Sequence, residues 1–268
     1  MARFLGRDLT ALQQVYPRTG IGALLFLLFV VGTARTRSAI ALWGRHGRLT
    51  LLRSFSATLL GASLFSFAVQ HTSIGAATFL GALPSTILWA WLLFGVRPSR
   101  REIVAAVTAV AGAALIFQPT VGTGTALELL AQCAALASGF TVSFGMIASQ
   151  LHGEPAIDNE LNLLMMLSGA SQCVLLSLAL GEGLPNLTRW DTIFLTLVGA
   201  VLVPVCFSLV TIGFRLVKGS VAAVLLMLEI PLVIAGAIVL FGEWPSQMEL
   251  LGGALVVSAA LAVYTKTV

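Results

Sequence analysis

A chain of 268 residues that is 58% hydrophobic and only 10% charged cannot clothe itself in a water-facing surface, because soluble domains carry about a quarter charged residues. The mean hydropathy of +0.99 leaves a membrane protein as the class that fits. The net charge of +4 is spread over short loops beside apolar runs, so it excludes a nucleic-acid-binding stripe and reports membrane orientation instead.

Nine apolar segments can be drawn in chain order: roughly 15–34, 51–70, 72–95, 102–118, 126–149, 159–181, 190–216, 218–242 and 247–266. Most reach the roughly 20 residues that cross a bilayer core, with 102–118 at the short end. Arg3, Arg7 and Arg18 before the short apolar run Ile21–Val31 resemble a signal peptide, with Gly32-Thr33-Ala34 as a cleavage site. Arg35 and Arg37 directly after it are a stop-transfer flank, and the segment has a partner later in the chain, so a retained helix is expected.

Arg35, Arg37, Arg45, Arg48 and Arg53 are placed in or beside the first long loop. With Arg97, Arg100, Arg101, Arg215, Lys218 and Lys266 they give one face eleven basic residues, against Arg3, Arg7, Arg18 and Arg189 on the other. The richer face is expected to be cytoplasmic, which makes the protein a multi-pass component of the plasma (inner) membrane. The acidic Glu154, Asp158 and Glu160 fall on the same face and weigh little in this rule. Cys133, Cys173 and Cys206 lie inside apolar runs, which argues against a disulfide framework or a zinc site. Abundant Gly, Ala and Ser suit closely packed membrane helices.

The stretch 72–96 recurs at 219–243, an offset of 147 residues. Pro84 falls on Pro231, Ser73 on Ser220, Ala90 on Ala237, and Leu93-Phe94-Gly95 on Leu240-Phe241-Gly242. The match continues through Pro98-Ser99 on Pro245-Ser246 and Glu102 on Glu249, and upstream Trp43 falls on Trp190. Two copies of one membrane unit point to a transporter. Residues 12–34 align with 159–181, the second helix of the unit, so 126–149 has no partner in the chain. The expected fold is all-α, with units at 1–121 and 122–268. An intact molecule would hold ten helices in two five-helix units of opposite orientation; here the first helix is missing and nine remain. The native gene is expected to carry an in-frame extension of about 20–25 residues with an apolar run, enough for one more span. The sequence upstream of Met1 checks this, and an in-frame stop codon with no alternative start would contradict it.

Small residues opening a helix, a central Pro, an apolar run closing in Gly-Glu, and then a Gly/Ala-rich last helix resemble the drug/metabolite transporter superfamily, EamA type. The second copy carries the pattern in Ser220-Val221-Ala222-Ala223, Glu229-Ile230-Pro231, Gly242-Glu243 and Gly252-Gly253. The first copy departs from it with Val96 in place of the closing Glu. The resemblance implies transport of amino acids, related metabolites or drugs, often outward.

Pro84 and Pro231 each remove a backbone donor near the centre of an apolar segment. In a bilayer this is tolerated where protein, water or a cavity re-satisfies the backbone, and matched interruptions point to a transport site; a packing kink is the alternative. Glu229 is the one acidic residue deep in an apolar run, where a charge costs about 2.5–3.5 kcal/mol. It could bind an amine or exchange a proton, or be a neutral carboxyl steadying the kink; its counterpart is Ala82. Trp89 and Trp91, two residues apart, point to different faces, so one could line a cavity while the other meets lipid. Gln70, Gln132, Gln172 and Asn162 could orient a polar substrate or bond helix to helix. His71 at a helix end reads as solvated.

The candidate substrate or coupling set is therefore Glu229, Pro84, Pro231, Trp89 and Gln132. Phosphate-loop, metal-ligand and nucleophile motifs are missing from the sequence, so an enzyme and a cofactor are not expected. The expected partners are a small-molecule substrate, the lipid bilayer and, as one assembly left open, a second copy in a homodimer. A truncated membrane protein without transport activity, or an assembly partner, is the competing reading.

Overall fold

The computed structural model describes residues 2–82, 85–95, 97–149, 158–216 and 229–264, and every regular element among them is helical. A short α1 (Ala2–Leu5) leads into α2 (Ala11–Gly32). The start of α2 is closed by a capping box: Gln13 N–H donates to Thr10 Oγ1 and Thr10 N–H to Gln13 Oε1, both at 3.2 Å. Next, α3 (Thr36–Ser54), a π-helical segment Phe55–Ala62 and α4 (Ser63–His71) form one unbroken run. Then follow α5 (Ile74–Gly81), α6 (Thr86–Phe94), α7 (Arg100–Thr123), α8 (Ala126–Ser149), α9 (Asp158–Ala179), α10 (Trp190–Leu216), α11 (Glu229–Phe241) and α12 (Gln247–Tyr264). Among the described residues, Ala11–Gly32, Thr36–His71, Ala126–Met146 and Asn159–Ala179 are long and apolar enough to cross a membrane. Ile103–Ile116, Trp190–Cys206, Leu232–Phe241 and Gln247–Ala259 are shorter apolar helices.

One expectation is corrected. The arginine-rich stretch read as a long loop is helical from Thr36 onward and continues into the next span. The helix Thr36–His71 has 36 residues, about 54 Å at 1.5 Å per residue, well beyond a hydrocarbon core of about 30 Å. Its first part is amphipathic, with Ala39 and Leu42 buried while Arg45 and Arg48 are exposed. A helix with one polar face needs no loop to hold its charges in water.

The chain divides into two compact units, one from Met1–Ser66 and Phe144–Arg215, the other from Phe67–Ser143 and Leu216–Val268. Each unit draws on both sequence copies. The chain changes unit after Ser66, Ser143 and Arg215, and the 147-residue offset brings the first and last of these points within two residues of each other.

In the first unit, α2 packs antiparallel on α9. At one end Gln13 Nε2 donates to Gly183 O at 2.8 Å, and at the other Arg35 lies 3.9 Å from Glu160, which is 1% exposed. Between them Ala23, Phe26 and Val30 meet Leu163 and Met166. The offset carries Gln13 onto Glu160 and Arg35 onto Glu182, the neighbour of Gly183, so the two ends exchange roles as in an isologous interface. Gly22 offers the same test. A Cβ there would lie 3.3 Å from Pro204 Cγ, and at its counterpart Gly169 a Cβ would lie 2.7 Å from Thr58 Cβ. Pro204 corresponds to Ala57, inside the π-helical segment. The helices that follow α2 and α9 thus each carry an interruption of regular α-helix at the same level, one a widened turn and one a proline.

In the second unit, α7 packs antiparallel on α12, its own repeat partner. A Cβ on Gly112 would come 2.5 Å from Gly252 O, and Ala105 and Ala109 cluster with Ala259. The offset turns the pair Gly112–Gly252 into Ala259–Ala105, a second contact of the same seam. Without side chains to separate them, the two backbones approach as small residues permit in membrane helices.

Candidate functional site

All five residues singled out by the sequence fall within the ranges of the second unit. Its core feature is an interrupted helix: α5 ends at Gly81 and α6 begins at Thr86, where Pro84 predicts a break. Pro84 itself lies outside the described residues. On the near side the chain tightens, with Ala82 N–H bonded to both Thr78 O (3.1 Å) and Phe79 O (3.3 Å). On the far side Ser85 caps α6, its carbonyl accepting from Trp89 N–H at 3.2 Å.

Helix α8 closes against this interruption. Ser85 Oγ is 2.8 Å from Ser143 Oγ and 3.3 Å from Gly139 O, and Trp89 Nε1–H donates to Phe140 O at 2.8 Å. Any Cβ on Gly139 would collide with the Gly81 carbonyl and Cα, so glycine is required for the approach. Trp89 commits its indole donor to α8, while Trp91 is 48% exposed and turns outward. Gln132 is buried on α8, seven residues before Gly139, about 10 Å along the axis. Glu229 and Pro231 stand at the first and third positions of α11; 217–228 lie outside the described residues, as do the side chains of Glu229 and Pro231. In the first unit Gln172 donates to Leu51 O at 3.2 Å, a bond from helix to helix. His71 is exposed and sits against Phe67 with ring centroids 4.7 Å apart.

The two copies end their central helices alike. Gly95 and Gly242 both have φ +66°, and their N–H groups bond to Trp91 O (2.9 Å) and Ile238 O (3.0 Å), carbonyls that the offset also equates. This left-handed turn favours glycine because a Cβ would be strained there. Ile103 N–H to Ser99 O and Leu250 N–H to Ser246 O, both 3.0 Å, then open α7 and α12 in register.

The EamA-like transporter family matches residues 1–118 and again 128–265. The chain belongs to the EamA-like transporter family. It is thereby a multi-pass membrane protein of the drug/metabolite transporter superfamily, whose members are transporters rather than enzymes. A solved crystal structure is 18% identical over 98% of this chain and 90% of that one, with a TM-score of 0.65, which shows a shared fold. No curated protein matches the chain.

The EamA pattern directs attention to the closing Glu243, whose carboxylate lies at the start of α5. There Glu243 Oε2 accepts from Ile74 N–H at 3.3 Å. Glu249 Oε1 accepts from Ser73 Oγ, while its Oε2 accepts from Ser246 N–H at 2.7 Å and Ser246 Oγ accepts from Glu249 N–H at 3.2 Å. The last two bonds form a capping box on α12, legible in the sequence as Ser246-x-x-Glu249. Ser85, Gly139 and Ser143 had no comparable signal.

Proposed function

We propose that this EamA-type protein is a secondary transporter that exports small metabolites, such as amino acids, related metabolites or drugs, across the plasma (inner) membrane by alternating access. Its repeats span 1–121 and 122–268 and face opposite ways, as nine membrane helices in an inverted repeat. Family membership carries the reading. Support for the inversion comes from α2 on α9 and α7 on α12, two pairs of equivalent helices that each run antiparallel with self-complementary contacts. The proposed orientation puts the eleven basic residues inside; on the opposite face Arg189 is bonded to Asp191 at 2.8 Å and sits 3.8 Å from Asp8. The Asp191 carboxylate pushes the Arg189 guanidinium pKa up, chiefly through that hydrogen bond.

Substrate binds at mid-membrane beside the interrupted helix, near Pro84, Trp89, Glu229 and Pro231, with Gln132 farther along α8. Backbone groups freed by a break in a membrane helix are stable only where protein or a cavity receives them, and α8 packs against this break through Gly139 and the side-chain bonds of Ser85 and Trp89. Glu229 supplies the exchangeable proton, and gradient or substrate concentration supplies the energy. Glu229→Gln is expected to abolish the pH dependence of transport while the protein stays folded. An unchanged pH profile in that variant removes Glu229 from coupling.

A further inference from the structure

We infer that Glu243, with Glu249, is a positioning pair that latches α5 to the corner between α11 and α12, and so controls access to the interrupted helix from one face. The inference rests on the transport reading and names residues that reading does not use. Helix α5 has eight residues, too few to hold itself without tertiary partners. Its first turn presents unbonded N–H groups and the positive end of a helix dipole. Three bonds meet that turn: Ser73 Oγ accepts from Ala76 N–H at 3.0 Å, Glu243 Oε2 from Ile74 N–H at 3.3 Å, and Ser73 in turn donates to Glu249. Pro245 covers the same turn, 3.8 Å from where a Cβ on Gly75 would lie. A cleft lined by Ser73, Gly75, Ala237, Glu243, Trp244 and Pro245 marks the seam.

The other end of α5 is the interruption that α8 holds through Gly81 and Gly139. Between the ends, Phe79 packs on the bare backbone of Gly253 in α12. A short strut gripped at both ends must follow its grips, so displacing the α11–α12 corner displaces the break.

The offset adds an asymmetry. Ser220 and Glu102 occupy the places of Ser73 and Glu249 in the other copy, but Val96 stands where Glu243 does. Valine cannot accept a hydrogen bond. The second carboxylate of the latch therefore exists on one face only, the extracytoplasmic face in the proposed orientation. A protein latched there rests closed to the outside, which suits an exporter that must first receive substrate from within.

The latch is tested on the full-length protein without any substrate, so its failure is separable from failure of the transport reading. In a background with Cys133, Cys173 and Cys206 replaced by alanine, Ala77→Cys places a reporter on buried α5. Its labelling by a membrane-impermeant maleimide is followed in right-side-out vesicles. Glu243→Val is expected to raise the labelling rate about tenfold. Glu243→Gln, which keeps an acceptor oxygen, stays near the native rate, and Val96→Glu labels no faster. Equal rates for the native residue and Glu243→Val overturn the latch. Ala200→Cys, buried in the first unit, reports global unfolding. If it also reacts in the Glu243→Val background, amide exchange of Glu243→Asp decides: about tenfold faster exchange at Ile74–Ala76 upholds the latch, and native exchange overturns it.

Discussion

Gly112→Ala is expected to destabilise the protein by about 3 kcal/mol, although alanine is the better helix former by about 1 kcal/mol. The new Cβ would lie 2.5 Å from Gly252 O, 3.0 Å from Leu255 Cβ and 3.1 Å from Val256 Cγ2. The nearest obstacle is backbone, so no rotamer change relieves it and α7 must part from α12. The contact is reciprocal: a Cβ on Gly252 would meet Gly112 O at 2.5 Å and Ile116 Cγ1 at 2.7 Å. Once one substitution has separated the helices, the second finds the space open, so Gly112→Ala/Gly252→Ala should cost clearly less than the sum of the single changes. Gly32→Ala and Gly236→Ala, with nothing within 4 Å of the added atom, serve as controls and should be neutral or stabilising. Thermal unfolding of the detergent-solubilised protein checks all five variants. Equal behaviour of Gly112→Ala and Gly236→Ala would show that the α7–α12 seam does not hold the second unit together.

Gly139→Ala should act on transport. Its Cβ would strike the Gly81 carbonyl at the edge of the interrupted helix and push α8 back by about 1 Å, since close-packed interiors leave no slack. That displacement opens the bonds from Ser85 and Trp89 to α8. A misplacement of this size at a reacting or binding centre costs up to about 100-fold, and the transport rate is expected to fall by about that factor. Trp89→Phe deletes one neutral hydrogen bond, worth about 1 kcal/mol, and should cost about tenfold or less. Initial rates of solute flux in vesicles separate the two, and an active Gly139→Ala protein would remove α8 from the site.

The repeat carried most of what could be read without coordinates. An offset of 147 residues equates Gly95 with Gly242 and the start of α7 with that of α12, and the structure gives both glycines the same left-handed turn and both helices the same opening bond. Pro84 marked the interruption because proline acts on its own backbone. What stayed hidden depends on partners far along the chain. Nothing distinguishes Gly112 or Gly139 from the other glycines until α12 and the α5 carbonyl are placed against them. The π-helical segment at Phe55–Ala62 carries no local mark either; the offset sets Ala57 on Pro204, but the widened turn there shows only in the folded chain. The helix from Thr36 was misread because its arginines suggested a loop, whereas an amphipathic helix exposes Arg37, Arg45 and Arg48 to water equally well. Glu243 stands in the sequence only as the closing residue of the EamA-type pattern, and its bond to the Ile74 amide requires α5 to be folded beside it.

Solute counterflow by the purified full-length protein in lipid vesicles tests the central claim of transport most directly. Vesicles preloaded in turn with amino acids, other small metabolites and drug-like amines are given the same labelled solute outside. The account predicts transient accumulation of at least one labelled solute, dependent on the preload and lost in Gly139→Ala. No accumulation of any solute, by protein that unfolds cooperatively and is correctly inserted, would contradict it.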